Sequence, residues 1–569
     1  MIVLGIHEGH DSCAAIIKDG VILADVQEER FSRVKHSSNA PLDAIQYCLE
    51  IAGLKDINEV DKISLSWSFT PIGLKALFGR KDRDPLMKSV AEWVASSVFD
   101  MTATSSRLKM PIYKPDYSNY PHEKIVNNDH HLAHAASAYF TQKSSEKQLV
   151  FTIDGAGDHT CTAIWLAEGS SIKLLKKYFR EASIGWAYSV VTEGLNWIHG
   201  DGEGKTMGLA PYGDYTKCKG VLDKYFPDFK GNKLVKHSEL GNDYFWEENG
   251  SEQYHFEEAK EVAELIKKYG RENIAAEAQR KLEDNVINLV EGWVKETGIK
   301  DVSFAGGVML NVKLNQRIWE KRKEIGIENQ HIFPNPGDSG IALGAALLEY
   351  YKNNNFEGAV LDNIYLGPEY SNEYIKEVLD IRKIKYTYLE DPTIVAAKLL
   401  AENKILAWFQ GRMESGPRAL GNRSILMSPL DPENKKTINA WVKFREGFRP
   451  FCPSLTVESK DEYLKDNRDE PFMITSFDVT EDKKLKIPAV VHVDGTLRPQ
   501  LVTEKTNPRY WKLIDEFRKL TGESILLNTS FNVMGEPIVC NPKEAIRCFF
   551  DSGIDALFLG NYYVDKSNL

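Results

Sequence analysis

The chain has 569 residues, 42% of them apolar and 27% charged, with a formal net charge of -11 and a pI near 5.8. That length is too great for one compact core and predicts two or three domains, while the acidic balance gives no electrostatic reason to expect a nucleic-acid partner. No apolar run approaches membrane-spanning length, and seven scattered cysteines without a C-x-x-C pair speak against a disulfide framework or cysteine zinc finger and for a reduced, cytoplasmic setting.

The first segment, VLGIHEGHDSCAAIIKDGVILADVQEE, predicts strand, polar turn, strand, D-G turn, strand. His10 sits in its first turn, followed by Asp11. An imidazole there can take a proton from an attacking hydroxyl, and Asp11 can orient it or cap the turn. EERFSRVKH then brings Arg30, Arg33, Lys35 and His36, which read equally as a solvated basic stretch or an anion site. Residues 103–117 are turn-rich. DHHLAHAASAYF predicts a helix with His130 and His134 four apart on one face, able to share a metal ion, while His131 points elsewhere.

From Leu149 the strand–turn–strand pattern of the N-terminus returns in LVFTIDGAGDHTCTAIWLAEGSSIKLLKKY, with Asp154 at the mouth of the turn. Such a loose repeat is what a duplicated actin-like or sugar-kinase-like core would show. Trp186, Tyr188 and Trp197 follow, as core residues or the lining of a sugar cleft. GDGEGKTMGLAPYGD sets Lys205 in a glycine-rich loop, able to act in catalysis by positioning phosphate or the carbamoyl group, though without the spacing of a P-loop. Residues 255–297 are helical in pattern. AGGVMLN places Gly306, Gly307 and Asn311 between a strand and a helix, where backbone N–H groups can meet a nucleotide. NPGDSG offers Asp338, and the helix after it is rich in small residues, which admit close approach of a sheet or a ligand.

The polar stretch YKNNNFEG is the linker candidate. It divides the chain into residues 1–357 and 358–569, the second an α/β or α+β region of short strands and helices. In it, GRMESGPRALGNRS supplies Arg412, Arg418 and Arg423, and KFREGFRPFCPS supplies Lys443, Arg445 and Arg449. Guanidinium forks match phosphate oxygens two at a time, so these segments read as a site for ATP and an acyl phosphate. HVDGTLRPQ adds Arg498, and LNTSFNVMGEPI adds Thr529, Ser530 and Asn532 in a turn able to hold phosphate or a carbonyl oxygen.

Together GIHEGHDSCAA, EERFSRVKH, DHHLAHAASAY, IDGAG, GKTMGLAPYGD, AGGVMLN, NPGDSGIALGAA, GRMESGPRALGNRSIL, REGFRPFCPS, HVDGTLRPQ and LNTSFNVMGEPI resemble, in order and over essentially the whole chain, the O-carbamoyltransferases that modify nodulation factors, aminoglycosides, cephalosporins and ansamycins. The resemblance implies an actin-like (ASKHA) N-terminal domain similar to the threonylcarbamoyl-transfer subunit of tRNA modification. It implies a C-terminal domain similar to threonylcarbamoyl-adenylate synthase. It further implies an ATP-dependent enzyme of natural-product biosynthesis that makes carbamoyl-adenylate from carbamoyl phosphate and ATP. The carbamoyl group then passes to a hydroxyl of a small molecule, with iron as the metal. Mg2+ beside ATP is expected from chemistry, and a homodimer from the size of the chain.

By the same resemblance the metal ligands fall on His130, His134, Asp154 and Asp338, and the catalytic histidine on His10. The phosphate-handling residues fall on Arg418, Lys443 and Arg449. Lys205, Gly306, Gly307, Asn311, Arg412, Arg498, Thr529, Ser530 and Asn532 are added from chemistry. The first turn, HEG before His10, is shorter than in some antibiotic-modifying members, so their acceptors are not carried over. Rival expectations are a fused tRNA threonylcarbamoylation enzyme and a nucleotide-binding protein of actin-like fold without chemistry.

Overall fold

The structure is a computed structural model that describes residues 1–67, 124–144, 146–158, 160–240, 247–249, 252–254, 256–359 and 361–566. The turn-rich segment expected at 103–117 lies outside the described residues.

Two five-stranded sheets carry the first half. In one, Val21–Gln27, Cys13–Lys18 and Ile2–His7 form an antiparallel meander, and Lys62–Leu65 and Ile125–Asn127 continue it in parallel. In the other, Ser171–Phe179, Thr160–Glu168 and Gln148–Gly157 form the meander, and Asp301–Ala305 and Asn329–Ile332 are the parallel continuation. Strand order and direction are the same in both. This paired topology is that of an actin- and hexokinase-like fold, and a glycine turn, Asp19-Gly20 in one meander and Gly169 in the other, joins the second strand to the third in each.

The helices His130–Tyr139 and Ile341–Tyr351 run between the two sheets. Their small residues serve packing. A Cβ on Gly344 would stand 2.0 Å from the carbonyl oxygen of Ala133, and one on Gly5 would stand 2.0 Å from that of Ala342. Close backbone approach joins helix to helix and helix to strand there, with no ligand between.

The second half is one mixed eight-stranded sheet between Thr387 and Asp565, in the order Thr387–Tyr388, Tyr562–Asp565, Ala556–Leu559, Leu406–Phe409, Arg423–Met427, Ile525–Ser530, Cys452–Thr456, Gln500–Val502. Two of its central strands, LAWF and ALFL, are wholly apolar, and helices such as Pro508–Thr521 and Pro542–Phe550 cover it. No helix among the described residues is long and apolar enough to cross a membrane.

The two halves are pinned by charged side chains that end on carbonyls. Arg30 donates to Gly416 O at 2.7 Å, and Arg33 donates to Pro537 O and Ile538 O, each at 2.7 Å. In the opposite direction, Arg412 donates to Leu23 O at 2.8 Å, and Ser415 donates to the buried carboxylate of Asp25.

Candidate functional site

His130, His134, Asp154 and Asp338 converge where the two sheets of the first half meet. Each offers one ligand atom, and the four atoms lie within 4.8 Å of one another. Local structure explains the aim of each. Asp129 caps the helix by accepting from Leu132 N, so the helix starts at His130 and its first turn presents both histidines. Their rings meet edge-on, 4.7 Å between centroids. Asp154 lies where the Gln148–Gly157 strand breaks register, and Asp338 opens the single turn that leads into Ile341–Tyr351. His134 Nε2 stands 3.1 Å from Asp154 and 3.2 Å from Asp338. Gly157 is required here, because a Cβ would collide with the His130 ring at 2.0 Å.

Both ring nitrogens of His130, Nδ1 of His134 and Oδ2 of Asp154 are buried without a hydrogen-bond partner. Two imidazoles and a carboxylate with unsatisfied atoms, beside the second carboxylate of Asp338, fit a divalent cation better than a network closed on itself. Burial by itself would lower the pKa of His130, but the carboxylates of Asp338 and Asp154 reverse that and lift it to about 10. His131 turns away, as expected, to Thr152 Oγ1 and Thr160 O, both at 2.9 Å, and burial drives its pKa down to about 3.

Sequence reasoning missed His7. It is fully buried at the end of the first strand, 3.7 Å from Asp338, with Trp67 stacked on it at 5.6 Å. Period-two alternation was an available signal, since Gly5, which touches the Ile341–Tyr351 helix, shares its strand face. Beside it, half-exposed His10 stands 3.2 Å from Asp11 by Nδ1.

Across the interface lies a cluster of cations. Arg418 carries a buried Nε without a partner, and burial together with nearby Arg498 and Arg449 pushes its guanidinium down to about 9. Arg445 is held at about 9 as well, by burial and by Arg449. Arg498 donates to Cys452 Sγ from Nε at 2.9 Å and Nη2 at 2.6 Å. Lys443 is buried against Ser530 and Asn532, reaching Asn532 Oδ1 at 2.7 Å, and burial and Arg445 hold it well below the usual lysine range. Thr529 and Ser530 end the strand that delivers this turn. These cations outnumber the carboxylates near them, which are Glu446, 3.9 Å from Arg449, and Asp201, and they lower one another's pKa, which makes a seat for a polyanion. The seat faces the first half, for Asp201 acts on Arg449 and Lys35 on Lys443.

Several expected ligand residues have other work. Arg412 is not free for phosphate, since its guanidinium is taken by the carbonyls of Leu23, Leu366 and Gly367. Arg423 is completely buried among the carbonyls of Gln410, Gly411 and Pro368 and stacks on Phe409. Arg30 and Arg33 are interface pins. Gly306, at φ +98°, leaves room for the carbonyl of Ile153, which a Cβ would meet at 2.2 Å, so its place reflects strand packing. Asn311 caps the helix Val312–Ile325 through Leu314 N and pairs with Gln279, which occupies its carbonyl oxygen and one of its two N–H groups. Gly307 does border the metal-type cluster, with a Cβ position 3.1 Å from Asp154 Oδ1. Lys205 Nζ stands 3.6 Å from Glu446 in the other half and is not among the groups that touch His10. Tyr188 is core, its hydroxyl on Gln279 at 2.9 Å, and Trp186 packs its ring over Gly155.

Comparison with known proteins gives matches over both halves. The family described as "Carbamoyltransferase N-terminus" matches residues 2–347, and "Carbamoyltransferase C-terminus" matches residues 397–566. An uncharacterised protein of Synechocystis sp. is 33% identical over 98% of this chain and 95% of its own length. Nodulation protein NolNO of Sinorhizobium fredii is 34% identical over 98% of this chain and 79% of its own. Among solved structures, the activator of the 2-hydroxyisocaproyl-CoA dehydratase from Clostridium difficile aligns at 14% identity and a TM-score of 0.31, over 62% of this chain and 96% of that one.

Proposed function

Because this chain belongs to the carbamoyltransferase family and so transfers a carbamoyl group, we propose that it first activates that group with ATP and then delivers it to a hydroxyl of a small-molecule acceptor. Residues 358–569 form the activating domain, similar to threonylcarbamoyl-adenylate synthases. Residues 1–357 form a duplicated actin-like transfer domain.

The observation that carries this reading is the pairing of two sites across one interface: an excess of buried cations on one side, with Arg418 Nε unpartnered, and a metal-type cluster with unpartnered buried atoms on the other. Arg418, Arg449 and Arg498 bind the phosphates of ATP and carbamoyl phosphate, and Lys443 holds the Ser530–Asn532 turn in place beside them. Water cleaves carbamoyl phosphate to carbamate and phosphate. A carbamate oxygen then attacks the α-phosphorus of ATP, pyrophosphate leaves, and carbamoyl-adenylate remains. Guanidinium groups stabilise the charge that gathers on the departing phosphates.

In the second step the acceptor oxygen attacks the carbamoyl carbon, AMP departs with the bonding electron pair, and His10 takes the hydroxyl proton. His130, His134, Asp154 and Asp338 would hold a divalent metal, Fe2+ by resemblance, which supplies electrophilic stabilisation at the carbamoyl or phosphate oxygen. Burial of the interface keeps water from the activated intermediate.

The test is an incubation of the purified protein with ATP and carbamoyl phosphate and no acceptor, following pyrophosphate. Release that requires carbamoyl phosphate supports the reading. Its absence from folded, iron-supplied protein overturns the activation step.

A further inference from the structure

His10 is half-exposed and its ring has two nitrogens, so a base at this position needs something to decide which nitrogen is free. Asp11 lies between two imidazoles. Its Oδ2 is 3.2 Å from His10 Nδ1 and its Oδ1 is 2.7 Å from His36 Nδ1. The His10 and His36 rings are stacked, 5.0 Å between centroids and 17° apart in plane. The other nitrogen of His36 reaches Asp201 Oδ1 at 3.3 Å, and Lys35 donates to that same oxygen. The backbone N–H of His36 is itself fixed by Glu29 at 2.9 Å. Asp11 and His36 both sit in the left-handed region, at φ +62° and +54°, a conformation that persists where the surroundings over-determine it.

We propose that Asp11 and His36 are positioning residues for His10: a carboxylate shared by two imidazoles holds His10 through Nδ1, leaving Nε2 as the ring nitrogen open to an incoming hydroxyl. Gly200 keeps that nitrogen accessible. It sits at φ +80°, and a Cβ there would stand 3.0 Å from His10 Nε2. In the transfer step the hydroxyl proton passes to Nε2, Nδ1–H continues to donate to Asp11, and the imidazolium charge is shared with that carboxylate.

His36 has a different task from His10. A neutral imidazole donates only once, so engaging Asp11 and Asp201 together calls for the doubly protonated ring. Burial opposes that charge, but the hydrogen bonds to Asp11 and Asp201 outweigh it and raise His36 to about 10. The cation keeps Asp11 from acting on His10 alone. The charged groups facing His10 are Asp11, His36 and Asp338, and those facing His36 are Asp11, Asp201, Glu29 and the His10 ring itself.

The inference rests on His10 being the base of the transfer step, so its test is kept apart from that reading. Diethyl pyrocarbonate modifies neutral imidazole, and mass spectrometry of the His10 peptide against pH gives that ring's midpoint without any acceptor. Full-length wild type, His36→Gln and Asp11→Asn are compared, with carbamoyl-phosphate-dependent pyrophosphate release measured on the same preparations. The His10 midpoint is expected to fall by about one pH unit in Asp11→Asn and to rise by about half a unit or more in His36→Gln. Asp201→Asn, at the exposed end of the relay, frees one anchor of His36 and is expected to move the midpoint in the same direction as His36→Gln. It serves where either inner variant fails to fold. Wild-type midpoints in the folded variants overturn the relay, whatever the pyrophosphate assay gives. Shifted midpoints with no pyrophosphate release uphold the relay and overturn the carbamoyl-activation reading.

Discussion

At the scale of single residues, the two unsatisfied sites predict separable failures. Replacing His130 with Ala removes an imidazole proposed to hold the metal, whose nitrogens have no hydrogen-bond partner. Bound metal is expected to fall to near zero and AMP release by at least about 100-fold, while one equivalent of pyrophosphate is still produced. Equal loss of pyrophosphate would place the cluster in the activation step instead. Arg418→Ala should give the opposite pattern, with metal content retained and pyrophosphate release down about 100-fold, as for loss of one charge-stabilising donor. What could be read from the sequence follows the same division. His130 and His134 announce themselves by spacing, and Asp154 and Asp338 by the turns around them. Arg412 and Arg418 are alike as letters in one glycine-rich segment. Only the fold shows that Arg412 ends on the carbonyls of Leu23 and Leu366 while Arg418 is left without a partner. Carbonyl acceptors leave no mark in a sequence, so this distinction was out of reach.

At the scale of elements, glycines set how closely the working parts approach. Gly157→Ala drives a methyl into the His130 ring, and the expected outcome is loss of metal stoichiometry with an unchanged far-UV circular dichroism spectrum. Gly344→Ala strikes the backbone of the facing helix, which cannot rotate aside as a side chain can. It is expected to cost about 3 kcal/mol of stability, read as a lower melting temperature. The repeated meander was legible because an apolar strand, a turn carrying Asp, Gly and His, and a small-residue strand recur in both copies. The glycine- and small-residue-rich helix after Asp338 was legible only as a close contact, because nothing in its composition distinguishes a neighbouring backbone from a ligand.

At the scale of the whole molecule, the interface buries a carboxylate. Asp25 accepts from Ser415, yet its Oδ1 is buried without a partner, and burial pushes its carboxyl up to about 7. The unfolded chain releases that proton near pH 4. Between these values the folded protein holds a proton that the unfolded chain has lost, so Asp25's contribution to stability falls as pH rises through the window and is level above it. Asp25→Asn is therefore expected to raise the melting temperature at pH 8, with the gain shrinking toward pH 5. A gain independent of pH would show that this carboxyl is not the titrating group.

The arginine pins have a consequence for how the gene can be divided. Each half lends guanidinium groups to carbonyls of the other, Arg30 and Arg33 in one direction and Arg412 in the reverse. Two polypeptides made by cutting within the YKNNNFEG stretch would keep every one of these donors and acceptors. Such fragments should find each other when co-expressed and copurify as a split protein, with neither piece able to bury those groups by itself.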